Sequence, residues 1–276
     1  MKTLINKSKV LIFDLDGTLY EDTDHFDYYA RQLMKELPEH QQEAFMNEYS
    51  SMKNDNHIVS IGKGYDMKRD AVLTVDPMTL DVIEAHSWKG AVWPGNKVRE
   101  TYNGPVTFDF KNIIAIGDGW WLPFVTAAHF GIADKTLECY NRTKEYMVTD
   151  QFHLSRTPGL KEGLIKLKQS KELVLMTNSD ADDVERLLKE LGLQGIFDYK
   201  YCSSRKPLAT MSLFRNILGR FGVHAHETCS IGDNFINEVA PALKMGMNAV
   251  YIHPHRHEAG HENLAVVHTL SNAFEV

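Results

Sequence analysis

A four-residue apolar run, Val10-Leu11-Ile12-Phe13, breaks off into Asp14-Leu15-Asp16-Gly17-Thr18. The run predicts a short buried strand, so two carboxylates and a hydroxyl arrive together at its carboxyl end. In open α/β sheets that end is where ligands bind. Alternate residues of an extended segment point the same way, so Asp14 and Asp16 converge on one site. Two crowded carboxylates repel unless something positive lies between them. Mg²⁺, a hard cation that prefers oxygen ligands, meets that need.

From Pro158 onward, strand and helix patterns alternate. Leu160, Leu164 and Leu167 mark a helix, and Leu173-Val174-Leu175-Met176 a strand ending at Thr177-Asn178-Ser179. Val184, Leu187, Leu188 and Leu191 mark the next helix, closed by Gly192. Met211, Phe214, Ile217, Leu218 and Phe221 mark another, and Thr228-Cys229-Ser230-Ile231 is a strand entering Gly232-Asp233. A helix through Val239, Leu243 and Met247 and a strand at Ala249-Val250-Tyr251-Ile252 follow. The pattern predicts an α/β fold, a doubly wound parallel sheet with helices on both faces.

The first strand belongs to that sheet, yet roughly 130 residues separate it from the second α/β stretch, too many for a loop. The expected organisation is a core of residues 1–19 and 157–276 with an inserted domain at 20–156. Inside the insertion, Phe26, Tyr29, Leu33 and Leu37 recur at helical spacing up to Pro38, and Phe45, Tyr49 and Met52 suggest a second helix. Residues 121–147 are again helical, and Val106-Thr107-Phe108-Asp109-Phe110 alternates like a strand. Glycines and prolines punctuate residues 58–118, which predicts turns, short strands and short helices there.

Composition narrows the class. At 276 residues, 43% hydrophobic and 24% charged, the chain is an ordinary soluble globular protein. A net charge of −7 and the lack of any Lys/Arg block argue against nucleic-acid binding. The first apolar run stops at Asp14, too short for a signal peptide, and no stretch has transmembrane length, so no membrane partner is expected. Cys139, Cys202 and Cys229 are odd in number and far apart, which disfavours a disulfide framework or zinc site and fits a reducing cytoplasm. Nothing in the pattern fixes the oligomeric state.

Four polar clusters fall at strand ends or just before helices: Asp14/Asp16, Thr177/Asn178, Arg205-Lys206-Pro207 and Asp233. In their order and spacing, over residues 9–20 and about 157–252, the chain resembles the phosphatase branch of the haloacid dehalogenase superfamily. The insertion lies between the first and second clusters, where that family places its C1-type cap. The resemblance implies that Asp14 is a nucleophile that forms an aspartyl-phosphate. It makes Asp16 the general acid for the leaving oxygen and then the base for water. Thr177 would hydrogen-bond a phosphoryl oxygen, with Thr18 and Asn178 also on the phosphate, and Lys206 would neutralise the phosphoryl group and Asp14. Mg²⁺ would be held by the Asp14 carboxylate, the Asp16 backbone carbonyl and Asp233. Family phosphatases often carry a second aspartate four or five positions further on; here Asn237 and Glu238 follow. Glu238 is either a further metal ligand or a solvent-facing acid in the first helical turn, where negative charge suits the dipole.

Dehalogenase members of the family lack the second aspartate of the first motif, so Asp16 favours phosphoryl chemistry. The implied protein is a Mg²⁺-dependent phosphatase for a small phosphorylated metabolite. A phosphomutase of the same fold and a phosphate-binding regulatory protein with little catalysis are the alternatives. Leu19-Tyr20 after the first motif also occurs in pyrimidine nucleotidase-like members.

Other features have plainer readings. Ile116-Gly117-Asp118-Gly119 echoes Ile231-Gly232-Asp233-Asn234 but stands in the wrong order for the fourth motif, and Asp-Gly is a common turn pair. Trp88, Trp93, Trp120 and Trp121 all lie in the insertion, as core of a small domain or as a wall for a substrate ring. His253, His255, His257 and His261 match no zinc spacing, and Gly62-Lys63-Gly64 is too short for a phosphate loop.

Overall fold

A computed structural model describes residues 1–149, 151–152, 154–253 and 260–274. In chain order the strands are β1 Val10–Phe13, β2 Gly64–Asp66, β3 Ala71–Val75, β4 Val82–Ser87, β5 Ile113–Ala115, β6 Glu172–Met176, β7 Tyr199–Tyr201, β8 Thr228–Gly232, β9 Asn248–Ile252 and β10 Leu264–Val267. The chain divides into two compact units, residues 1–22 with 154–276, and residues 23–153.

The first unit is built on a parallel sheet in the order β10-β9-β8-β1-β6-β7. β1 is central because none of its residues is more than 1% exposed, so both of its faces need cover. Val10 and Ile12 turn to one face, where they join Val174, Met176, Phe214, Ile217, Val239 and Met247. Phe13 turns to the other and meets the rings of Phe197 and Phe274 edge-on. Each such apolar side chain contributes about 1.5–3 kcal/mol when removed from water. Helices Leu160–Lys168, Ala181–Glu190 and Thr210–Phe221 make the crossovers. The chain runs outward from β1 through β6 to β7, then returns to β8 on the other side of β1 and continues to β9 and β10. The order therefore reverses between β1 and β8, which opens a crevice at the carboxyl ends of those strands.

The chain leaves and re-enters this unit at one place. The Thr157 hydroxyl donates to the Leu19 carbonyl at 3.0 Å, and the Ser155 N–H and hydroxyl both donate to the Asp22 carboxylate at 2.8 Å.

Among its described residues the second unit has an antiparallel sheet in the order β4-β3-β2-β5 and five α-helices, Asp24–Lys35, Glu39–Lys53, Gly95–Thr101, Trp121–His129 and Thr136–Tyr146. Leu33, Phe45 and Tyr49 from the helices share one core with Tyr65, Val72 and Ile114 from the strands. Trp88 is buried in that core, Trp120 and Trp121 pack against it, and Lys97 covers Trp93 with its ammonium 3.5 Å from the ring centroid. The strand expected at 106–110 is absent. Val106 and Phe108 are buried and Thr107 is exposed, so the alternation is real, but the segment lies outside the sheet ladders. It ends in a turn in which the Asp109 carboxylate accepts the N–H groups of Lys111, Asn112 and Ile113. Period-two burial marks an extended chain, not a backbone partner.

Among the described residues no helix is long and apolar enough to cross a membrane, and the three cysteines are free thiols. His261 accepts the Asn263 N–H at its Nδ1, and the His253 N–H donates to the Val267 carbonyl; His255 and His257 lie outside the described residues. In the Gly62-Lys63-Gly64 stretch, the Lys63 ammonium donates to the Thr74 hydroxyl at 2.6 Å.

Candidate active site

The strand order sets the ends of β8, β1 and β6 side by side, and with them Asp233, Asp14 and Thr177. The Asp14 N–H donates to the Ile231 carbonyl at 3.0 Å, which extends the pairing with β8 by one residue and fixes the carboxylate at the sheet's end. Lys206 reaches in from the segment after β7. Its ammonium donates to Asp14 Oδ1 at 2.7 Å and to Glu238 Oε1 at 2.6 Å, and the residue is only 1% exposed. Carboxylate oxygens of Asp14, Asp233 and Glu238 lie within 4.8 Å of one another.

Asp14 and Glu238 thus share the Lys206 ammonium, and Asp233 brings a third carboxylate beside them. Burial pushes Asp14 up from its ordinary value, the charge of Asp16 adds to that, and Lys206 opposes both. Burial likewise pushes Glu238 up, to about 8, against the pull of Lys206. For Lys206, burial disfavours the charge, but Asp14 and Glu238 outweigh it and hold the ammonium above its usual value.

Two glycines make this crowding possible. Gly17 has φ +71°, and a Cβ there would stand 2.1 Å from Asp233 Oδ2. A Cβ on Gly232 would stand 2.6 Å from Glu238 Cγ. We expect Gly17→Ala to lower the thermal midpoint by more than Gly62→Ala. Gly62 also has a left-handed φ, +92°, but nothing within 4 Å of an added Cβ, so it isolates the backbone cost of about 1–2 kcal/mol. Equal losses in the two variants would show that the approach of Asp233 to the loop is unimportant.

Asp16 is held differently. Its Oδ1 accepts from the Tyr20 hydroxyl and its Oδ2 from the Ser179 hydroxyl at 3.0 Å. Thr177 follows β6 directly, with its N–H on the Tyr201 carbonyl at 2.9 Å. Its hydroxyl accepts the Ser179 N–H at 3.1 Å, which leaves its own proton to donate. The Thr18 hydroxyl is buried and has no hydrogen-bond partner among the described residues.

Of the two readings of Glu238, the solvent-facing acid falls: the residue is 1% exposed, and its Oε2 accepts the Asn234 N–H at 3.1 Å. The side chain of Asn178, expected on the phosphate, is engaged by the main chain of Lys206 at both ends of its amide. Asp118 belongs to the second unit, where its Oδ1 accepts the Trp120 N–H at 2.8 Å, the geometry of a turn. Sequence reasoning passed over the grip of Tyr20 and Ser179 on Asp16. The available signal was their nearness to the first two motifs, which is weak because tyrosine and serine are common in loops.

Residues 8–246 match the haloacid dehalogenase-like hydrolase family. Haloacid dehalogenase-like hydrolase domain-containing protein 3 of Xenopus laevis is 25% identical over 141 residues, 49% of this chain; the match spans 57% of that relative. Among solved structures, the putative HAD-hydrolase YfnB of Bacillus subtilis superposes with a TM-score of 0.53 at 13% identity, covering 97% of each chain. A haloacid dehalogenase-like family hydrolase from Xanthomonas campestris gives 0.50 at 18% identity, covering 96% of this chain and 92% of its own. These two structures share the fold. With its sheet order, its acidic strand ends and a family match over most of its length, the chain belongs to the haloacid dehalogenase-like hydrolases.

Proposed function

We propose that this protein is a Mg²⁺-dependent phosphatase that hydrolyses a small phosphorylated metabolite through an aspartyl-phosphate. The observation that carries the reading is the different housing of two aspartates on one loop. Asp14 sits in the carboxylate cluster on Lys206, whereas Asp16 is held by two hydroxyls. Carboxylates placed in contrasting surroundings are how one site divides nucleophile from acid and base. Carbon–halogen cleavage has no use for the second one, because halide leaves without a proton.

The donors fit Mg²⁺: they are hard carboxylate oxygens from three side chains, within 4.8 Å of one another. Asp14, Asp233 and the Asp16 carbonyl would hold it, with Glu238 alongside. When bound, it would draw charge from the phosphoryl oxygens. The Bacillus subtilis structure is of a protein bound to magnesium, which supports the assignment.

The residues then have distinct tasks. An Asp14 oxygen attacks phosphorus in line, and the bond to the leaving oxygen breaks. Asp16 gives a proton to that oxygen as general acid, and its carboxylate later takes one from the water that attacks the aspartyl-phosphate. Of the three Lys206 N–H groups, two are engaged by carboxylates and the third is left for a phosphoryl oxygen. Thr177 donates its hydroxyl proton to another.

Hydrolysis of p-nitrophenyl phosphate is expected with Mg²⁺ and is lost on adding EDTA, while 2-chloropropionate releases no chloride. Chloride release without ester hydrolysis would replace this reading with a dehalogenase.

A further inference from the structure

The turn after β6 contains an exposed side chain with no ordinary reason to be fixed. Asn178 Oδ1 accepts the Lys206 N–H at 2.7 Å, and its Nδ2 donates to the Lys206 carbonyl at 3.1 Å. The partners settle the orientation of the amide, since the flipped form would set donor against donor and acceptor against acceptor. A donor and an acceptor offered to one residue's N–H and C=O imitate what a neighbouring strand presents. Main-chain bonds prepare this pairing: the Ser203 N–H donates to the Ser179 carbonyl at 2.8 Å, and the Ser204 N–H to the Thr177 carbonyl at 3.0 Å. Beyond them the side chain of Asn178 continues the tie to Lys206.

The segment needs such a tie. Ser203 and Arg205 have φ of +48° and +51°, left-handed values at residues that carry a Cβ. Such conformations persist only where the surroundings over-determine them, and here they lie in the short stretch that leads directly into Lys206, whose ammonium enters the carboxylate cluster. The usual duty of a polar residue in this turn is already filled: Asp180 caps helix Ala181–Glu190 by accepting the Asp183 N–H at 2.9 Å.

We infer that Asn178 is a positioning residue that fixes the main chain of Lys206, so that its ammonium meets Asp14 and Glu238. Lys206 is a long, flexible side chain, itself 1% exposed, and anchoring its main chain fixes the point from which the ammonium reaches Asp14 and Glu238. The kinetic consequence rests on the phosphatase reading; the structural one does not.

A double-mutant cycle with p-nitrophenyl phosphate and Mg²⁺ tests the kinetic arm. Asn178→Ala is expected to lower kcat by about 10²-fold, the scale of a misplacement near 1 Å. In a Lys206→Met background the same change should cost less than about 2-fold, because its effect passes through the lysine. Losses that multiply independently would overturn the inference. The crystal structure of Asn178→Ala is the second arm: the lysine ammonium should be displaced from Asp14, and an unmoved ammonium would overturn the inference whatever the activity. If Asn178→Ala does not fold, Asn178→Ser carries both arms, since its hydroxyl is too short to span the N–H and the carbonyl. Should the wild type hydrolyse no phosphate ester, the phosphatase reading falls and the crystal structure still decides the role of Asn178.

Discussion

Asp14→Asn is expected to abolish turnover of phosphate esters while leaving the protein folded and at least as stable as the wild type in EDTA. The amide has the shape of the carboxylate but is no nucleophile, so activity should fall by at least ~10³-fold, as it does when other enzymes lose theirs. Stability should move the other way for an electrostatic reason. Without Mg²⁺, Asp14 and Glu238 must share the one Lys206 ammonium, and burial already disfavours the charge of Asp14. Removing that charge leaves Lys206 paired with Glu238 at 2.6 Å. Steady-state hydrolysis of p-nitrophenyl phosphate and thermal unfolding on the same preparation give both readings. Residual activity above a tenth of wild type would sink the nucleophile assignment, and a marked loss of stability would sink the charge argument. A catalytic group whose removal stabilises the fold is the usual trade between activity and stability.

Lys206→Met should have the opposite sign. Methionine fills much of the lysine's volume, but Asp14 and Glu238 would then be buried beside each other with nothing between them. Breaking a buried ion pair on one side costs about 3–5 kcal/mol, because the remaining charge is uncompensated. Urea unfolding in EDTA should show that loss as a lower midpoint with an unchanged slope. Mg²⁺ should restore part of it, since a cation that binds only the folded cluster stabilises by mass action. An unchanged midpoint would mean that the lysine contributes no net balance there. Equal midpoints for the variant with and without Mg²⁺ would mean that the cluster does not take the cation.

The parts of this molecule visible in its sequence share a physical property: their pattern is set by burial on both faces or by position at a strand end. Val10–Phe13 and Leu173–Met176 read as strands because the sheet covers both sides of each. Asp14, Thr177 and Asp233 read as one site because parallel strands bring their carboxyl ends together. Val106–Phe110 misled because alternate burial records which side chains face the core, not whether the backbone has a partner. The roles of Asn178, Ser179 and Tyr20 were hidden for a further reason. Ser179 and Asn178 act on residues chosen by the fold, Ser179 meeting Asp16 across 163 positions of chain and Asn178 meeting Lys206 across 28, while Tyr20 meets Asp16 across only 4. Asparagine, serine and tyrosine in loops look the same whether or not such a partner exists.

The tie between Asp22 and Ser155, next to that between Leu19 and Thr157, gives the core a narrow neck. Seen from the sheet, everything beyond the neck is a loop already closed at its base. The entropy of closing such a loop grows only with the logarithm of its length. Recombination at the neck can therefore exchange, lengthen or trim residues 23–153 while the strands that carry Asp14, Thr177 and Asp233 keep their register. The acidic strand ends and the inserted module are separable units of inheritance, free to change at different rates.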